Sequence, residues 1–422
     1  MNKIYTVSIL GAGSRGAEAY GRIMLSQKDR YKIVSICDIS KEKVDKYQQI
    51  FGVSKDLCFT DENEFFKERR SDALVIATID EEHVRECIKA FELGYDVLLE
   101  KPISANIKEL YDLLEVQHKY NNKVMVCHVL RYAKGFTKVK ELLDNKVCGD
   151  LVMIDTIEQV CFWHQAHSFV RGNWRNSDET SPMILQKCCH DFDLLQYYAS
   201  SKCDTISSIG SLRYFKKENQ PEGAADRCTK CKYDDTCTFS AKRFYIGEWK
   251  NIGSVENGWP YNVITTKLPL TEEALYEAID KGPYGRCVFA CDNNVVDNQI
   301  VMMRFENGVN ANLRMTAFTP GGGRLMKFYC TNGEIDLYDA DEKIVVTKFY
   351  GEPETIDIKR LLDEGGHNHG GGDAGIMDSF YKLLNGEVSS ETSLDKSVES
   401  HLMALKAEES RLQKGKLLKV HE

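Results

Sequence analysis

The chain has 422 residues, 55 Lys and Arg against 64 Asp and Glu, and a net charge of −9. That length allows two or three domains and a large core. The acidic balance, without any long Lys/Arg cluster, argues against a nucleic-acid or membrane-surface partner. No run of about 18 apolar residues exists to span a bilayer, and the first strand starts too early to leave room for a cleavable signal. A cytoplasmic protein acting on small soluble ligands is expected.

The apolar run at residues 4–10 leads straight into Gly11-Ala12-Gly13-Ser14-Arg15-Gly16, and a second run at 31–37 ends on Asp38. A GxGxxG between a predicted strand and a predicted helix, followed by an acid at the tip of the next strand, reads as a dinucleotide site. Gly11 permits the tight turn, Gly13 leaves room for a pyrophosphate, and Gly16 lets the helix pack closely on the sheet. Free N–H groups at the helix start face the phosphates, with Ser14 and Arg15 counted among the cofactor-binding residues. Asp38 would accept hydrogen bonds from the adenosine ribose and repel a 2′-phosphate. NAD is therefore expected over NADP, although Ser40 and Lys41 lie near enough to admit NADP.

Strands near 4–10, 32–37, 73–78, 96–99 and 123–128 alternate with helices near 15–27, 41–50, 81–93 and 106–120. This predicts an α/β, doubly wound parallel sheet of Rossmann type over residues 1–128. A helix near 135–145 comes next. Longer alternating runs then appear, such as 151–160 and a hairpin of 301–305 and 309–315 about Glu306-Asn307-Gly308. They predict an α+β domain over residues 129–422, with a large, mostly antiparallel sheet. A polar, turn-rich insertion interrupts it at about 218–291, and residues 365–373 read as a flexible loop before a helix at about 374–384.

Glu100-Lys101-Pro102 closes the fifth strand, at the carboxyl edge where doubly wound folds bind ligands. The proline stiffens the turn and aims the Lys101 ammonium into the cleft. Further on, Lys187 and His190 fall at helical spacing within an apolar pattern, which predicts one shared helix face. Oxidising a secondary alcohol needs a base, a hydride acceptor and donors that stabilise a developing alkoxide. His190 can serve as the base, and Lys101 as a base or a cationic donor. His164, His167, Arg171, Trp174 and Arg175 mix aromatic and polar groups as carbohydrate pockets do, so substrate contacts are favoured there over a His-x-x-His metal site.

Fifteen cysteines without an export signal read as reduced thiols or metal ligands. Most, such as Cys37, Cys87, Cys127 and Cys330, sit in apolar patterns and fit the core. Cys228, Cys231 and Cys237 instead sit in the turn-rich insertion, where close thiolates suit a structural zinc. Cys287 or Cys291 would supply the fourth ligand, with Cys287 preferred for its place in the Gly285-Arg286-Cys287 turn.

The glycine fingerprint, Ala77-Thr78 followed by His83, Glu100-Lys101-Pro102, and Trp174-Arg175 leading to His190 and Asp193 together resemble the Gfo/Idh/MocA oxidoreductase family, nearly end to end. The resemblance implies a nicotinamide-dependent enzyme acting on a sugar, cyclitol or related polyol, with Lys101 and His190 near the reacting carbinol. It puts Thr78, His83, Glu100, Lys101 and Arg131 beside the cofactor. It also implies an open sheet face that mediates homodimers or homotetramers. Many members carry Asp four residues before the histidine, where this chain has Gln186. Proton transfer then falls on Lys101 and His190, with Lys187 as an electrostatic or substrate-binding partner. Two other readings stay open: a glycoside hydrolase that uses NAD for transient oxidation and elimination, and a non-enzymatic nucleotide-binding regulator.

Overall fold

A computed structural model describes residues 3–255, 258–267, 269–362 and 368–421. Six parallel strands build the first sheet: β1 (Tyr5–Leu10), β2 (Tyr31–Cys37), β3 (Cys58–Phe59), β4 (Ala73–Ile76), β5 (Asp96–Leu99) and β6 (Val124–Val126). Their order is β3-β2-β1-β4-β5-β6. Every residue of β4 is buried, as expected of a central strand covered by helices on both faces. The glycine loop feeds helix α1, which is π-helical over Ser14–Gly21 and α-helical over Arg22–Ser26. Helices α2 (Lys41–Phe51), α3 (His83–Glu92) and α4 (Ile107–Tyr120) follow. Ser40 caps α2 through the Lys43 N–H and Asn106 caps α4 through the Lys108 N–H, so these starts are written into the sequence. Strand order reverses between β1 and β4, which opens a crevice at their carboxyl ends. Strand β3, only two residues long, is too short to show a period and was not expected.

After α5 (Lys134–Asp144) the chain builds a nine-stranded sheet. Its strands are β7 (Leu151–Gln159), β8 (Cys203–Ser211), β9 (Asn298–Phe305), β10 (Asn310–Thr316), β11 (Gly323–Cys330), β12 (Gly333–Tyr338), β13 (Lys343–Lys348), β14 (Glu354–Asp357) and β15 (Leu418–Lys419). The order is β14-β13-β12-β11-β7-β10-β9-β8-β15, antiparallel except where β7 runs parallel to β10. Along β9, Val301, Met303 and Phe305 are buried while Ile300 and Met302 are exposed, so one face carries the core. Helices α6 (Cys189–Ala199) and α8 (Leu394–Leu412) contribute to that core with Val301 and Leu313.

Helix α7 (Gly372–Asn385) lies against the first sheet instead, where Ile376, Met377 and Phe380 join a cluster with Val7, Ile9 and Tyr31. The loop expected at 365–373 falls partly outside the described residues. No described helix is long and apolar enough to cross a membrane.

Candidate functional site

The glycine loop has the geometry its spacing predicts. Gly11 has φ +90°, and a Cβ there would lie 2.4 Å from the Ala77 carbonyl oxygen. A Cβ on Gly16 would lie 2.1 Å from the Gly11 oxygen. Over Gly13 a Cβ would meet nothing within 4 Å, so the backbone there is open to a pyrophosphate at a helix start. Asp38, buried at the end of β2, accepts hydrogen bonds from Ala12 N at 2.8 Å and Ser40 N at 2.9 Å. Its carboxylate thus shapes the loop, and its remaining lone pairs are suited to ribose hydroxyls. The residues fit a dinucleotide.

Arg15 departs from expectation. Its guanidinium turns inward, donating to Glu100 at 2.8 Å, to Asp373 of α7 at 2.7 Å and to the Tyr20 hydroxyl at 2.6 Å. The reason is the buried Glu100 carboxylate. Burial pushes its pKa up, and the Arg15 and Lys101 charges more than offset this, leaving it below the usual value. Arg15 therefore ties the glycine loop to β5 and α7, and its charge is already committed to carboxylates.

Lys101 extends from the end of β5 toward the second domain, where its ammonium donates to the Gln186 carbonyl oxygen at 3.2 Å. Behind it, buried His83 has Nδ1 2.8 Å from the Pro102 oxygen and Nε2 3.3 Å from the Thr78 oxygen. Thr78 donates from its hydroxyl to Glu86 at 2.5 Å. Burial pushes the Glu86 carboxyl up to about 8, with the Thr78 bond opposing. Thr78 and His83 brace the Lys101–Pro102 turn from below.

The second-domain groups do not share one helix face as the spacing predicts. Met183–Gln186 forms a single turn, α6 begins at Cys189, and Lys187 and Cys188 lie in the break. The break sends Lys187 to Glu158 of β7 at 3.1 Å, while His190 enters α6. Burial and the positive charge of Lys101, then His128 and Arg324, hold His190 well below the ordinary histidine range, so its imidazole is neutral. Its Nδ1 has no hydrogen-bond partner, and the fully buried His128 ring stands edge-on at 5.8 Å.

Beneath Lys187 lies an ion network absent from the sequence reading. Arg324 contacts Asp191 at 2.8 Å and Glu158 at 3.0 Å. All three are buried, and burial raises Asp191 to about 6 against the pull of Arg324. One signal was present: Glu158 occupies a core-facing position of β7, in phase with Ile154 and Thr156. Its cross-strand partner in β11 is Arg324 itself.

The aromatic segment after β7 supplies part of what was expected of it. His164 is held well below its ordinary pKa by burial, then by Lys187, His167 and Lys101, so it lies in the electrostatic reach of both lysines. His167 is pushed down to about 3 by burial and Arg171, and its Nδ1 lies 2.7 Å from the Tyr245 hydroxyl while its ring stacks on Tyr284 at 4.8 Å. Tyr245 and Tyr284 belong to the insertion.

The other three candidates have structural work. Arg171 is buried beneath the cysteine segment, donating to the Arg286 and Phe239 carbonyls at 2.7 and 2.6 Å and to Cys228 Sγ at 3.5 Å. Trp174 packs beside Phe169 on the core, and Arg175 forms ion pairs with Asp292 and Glu179. Arg131, expected beside the cofactor, is buried in a paired hydrogen bond with both Asp193 oxygens, each at 2.7 Å. A charged residue in an apolar pattern looks the same in sequence whether it meets a ligand or a buried carboxylate.

Cys228, Cys231, Cys237 and Cys287 border one cavity of about 290 Å³. An antiparallel bridge between Arg227 and Arg286 draws the two distant segments together. Cys291 is not on that lining and donates its thiol to the Cys287 carbonyl at 3.3 Å. Among the described residues, however, no group of three or more His, Cys, Asp or Glu side chains converges as a metal site.

Residues 5–128 match the oxidoreductase family, NAD-binding Rossmann fold, and residues 140–333 match the oxidoreductase family, C-terminal alpha/beta domain. The chain is similar to the putative oxidoreductase YteT of Bacillus subtilis, 22% identical over 76% of this chain and 74% of YteT. It is also similar to the 2,7-anhydro-N-acetylneuraminate hydratase of Mediterraneibacter gnavus, 24% identical over 61% of this chain and 63% of that protein. Among solved structures, apo scyllo-inositol dehydrogenase from Lactobacillus casei shares the fold, with a TM-score of 0.67 at 15% identity and 100% of both chains covered.

Proposed function

The chain belongs to the Gfo/Idh/MocA oxidoreductase family, and from that premise we propose that it transfers a hydride between NAD and a secondary alcohol of a sugar, cyclitol or glycoside. The observation that carries this reading is the electrostatic coupling of the neutral His190 imidazole, on α6, to the Lys101 ammonium, which stands with the glycine loop open over Gly13 at the carboxyl edge of the first sheet. NAD, when bound, supplies the hydride acceptor. His190 takes the hydroxyl proton, and Lys101 stabilises the alkoxide that develops beside it. The depressed basicity of His190 also makes its protonated form a ready donor in the reverse direction. Lys187, steadied by Glu158, holds a substrate hydroxyl. The names of two relatives support a polyhydroxylated substrate, one a cyclitol dehydrogenase and one an anhydro-sugar hydratase.

The hydratase favours a second reading, in which a glycoside is oxidised transiently, loses its aglycone, gains water and is reduced again. One experiment separates the two. Incubation with NAD and a panel of free sugars, cyclitols and aryl glycosides in heavy water is expected to yield NADH in proportion to ketone. Aglycone release with deuterium at the ring carbon beside the transient ketone, and no NADH, would establish the second reading; no turnover of any kind would leave the nucleotide-binding regulator.

Two finer features belong to the same proposal. The four thiols lining one cavity are what supports a structural zinc on Cys228, Cys231, Cys237 and Cys287. Metal analysis of reduced protein is expected to find about one zinc per chain, with a lower Tm after chelation. Metal-free protein with an unchanged Tm rejects it. Homodimers or homotetramers through the open sheet face are the second.

A further inference from the structure

The insertion between β8 and β9 has a small core of its own, including Tyr245, Trp249, Tyr261, Leu275 and Ile279. From that base one short segment reaches back to the dinucleotide domain. Asn262 donates from Nδ2 to the Ser14 hydroxyl at 3.4 Å, at the first residue after Gly13. Three residues earlier, the indole of Trp259 is 42% exposed. Its ring centre stands 5.0 Å from that of His164 and 5.2 Å from that of Trp163, and Trp163 is backed in turn by Phe244, stacked at 5.1 Å. His164 lies within the field of Lys101 and Lys187. Trp259 therefore stands against His164, which is in the electrostatic reach of both lysines, and three residues from the contact that Asn262 makes with the start of α1.

A half-exposed tryptophan held rigid by other rings offers a flat apolar surface at low entropic cost. The chemistry suited to it is a six-membered polyol ring. Its axial C–H bonds form an apolar face, while its equatorial hydroxyls project sideways toward donors such as Lys101, Lys187 and His190. An acyclic polyol has no such face. We propose that Trp259 is the platform on which the ring of a pyranose or cyclitol stacks, making the insertion the element that selects cyclic over open-chain substrates. Asn262 ties the platform to the glycine loop, so the two form one wall of the cleft. The inference rests on the polyol-oxidising reading of the site.

The test is equilibrium binding to the NADH complex of the whole chain, read by calorimetry and tryptophan fluorescence. The probes are methyl pyranosides and cyclitols, with open-chain hexitols as controls. The unaltered protein is expected to prefer at least one cyclic probe. Trp259→Ala should weaken that probe about tenfold, the scale of one stacked ring, and Trp259→Phe should lose less. NADH affinity, unchanged in both variants, reports the fold. Cyclic and open-chain probes weakened equally, or no cyclic probe bound by the unaltered protein, would overturn the proposal. Cyclic probes that bind through Trp259 and are never oxidised would leave the platform standing and remove the dehydrogenase reading.

Discussion

Asp38 accepts hydrogen bonds from both Ala12 N and Ser40 N, so its carboxylate shapes the glycine loop before any ribose reaches it. Replacing it with Ser removes the acceptor and the charge that repels a 2′-phosphate. We expect NAD affinity to fall about tenfold by calorimetry, with the NADP-to-NAD ratio rising. Loop damage alone would weaken both nucleotides equally, so the ratio decides. For the chemical step, Lys101→Ala and His190→Ala should each cost at least about a hundredfold in turnover, the scale of a lost acid–base group, with NAD binding retained. The Lys101 cation lowers the pKa of His190, second only to burial. Removing the charge in Lys101→Met makes protonation easier, so the acidic limb of kcat/KM should move up toward the ordinary value of 6.5. A limb that stays in place or moves down would show that His190 is not the group whose protonation limits the rate.

Helix α3 buries a carboxyl, that of Glu86. Burial pushes the Glu86 carboxyl up to about 8 in the folded chain against 4.5 ordinarily, with the Thr78 hydroxyl donating to it. The folded state keeps a proton that the unfolded chain loses. The stability this contributes is full below pH 4.5 and is lost as pH rises through 8. Glu86→Gln keeps the shape and removes the titration, so melting curves should show a gain on the order of 4 kcal/mol at pH 8.5 and less than about 1 kcal/mol at pH 5. An equal gain at both values would point to packing instead. Elements like α2 and α4 were legible because period and capping residue agree. The break at Lys187–Cys188 was not, since the apolar pattern runs through it, and Lys187 pairs there with Glu158 of a strand far away in sequence. Arg324 and Asp191 meet through strand register and helix docking, and Trp259 reaches His164 through an insertion fold, neither of which leaves a local period to read.

At the scale of the whole chain, the two faces of the nine-stranded sheet are unequal. Helices α6 and α8 contribute to the core on one face. On the other, Ile209 of β8 sits directly across from Ile300 of β9, with Met302 further along and Leu325 on β11, all exposed. Met302 is 61% and Ile209 59% exposed, although a strand buried on only one side ordinarily alternates apolar with polar. We propose that this apolar exposure is an association surface, since a face meeting its own copy about a twofold axis buries every such residue twice. Arg304 and Arg314 also project on this face, in register with Thr205 and Ile300, and they would fix the orientation of the copies more than their affinity. Changing Ile300 and Met302 together to Lys places like charges at the centre of the contact. Light scattering should then show the mass falling from a dimer or tetramer to the 48.1 kDa monomer, with NAD affinity kept because the glycine loop lies on the other sheet. An unaltered protein that is monomeric at micromolar concentration, or a double variant that keeps its parental mass, would reject this face as the interface.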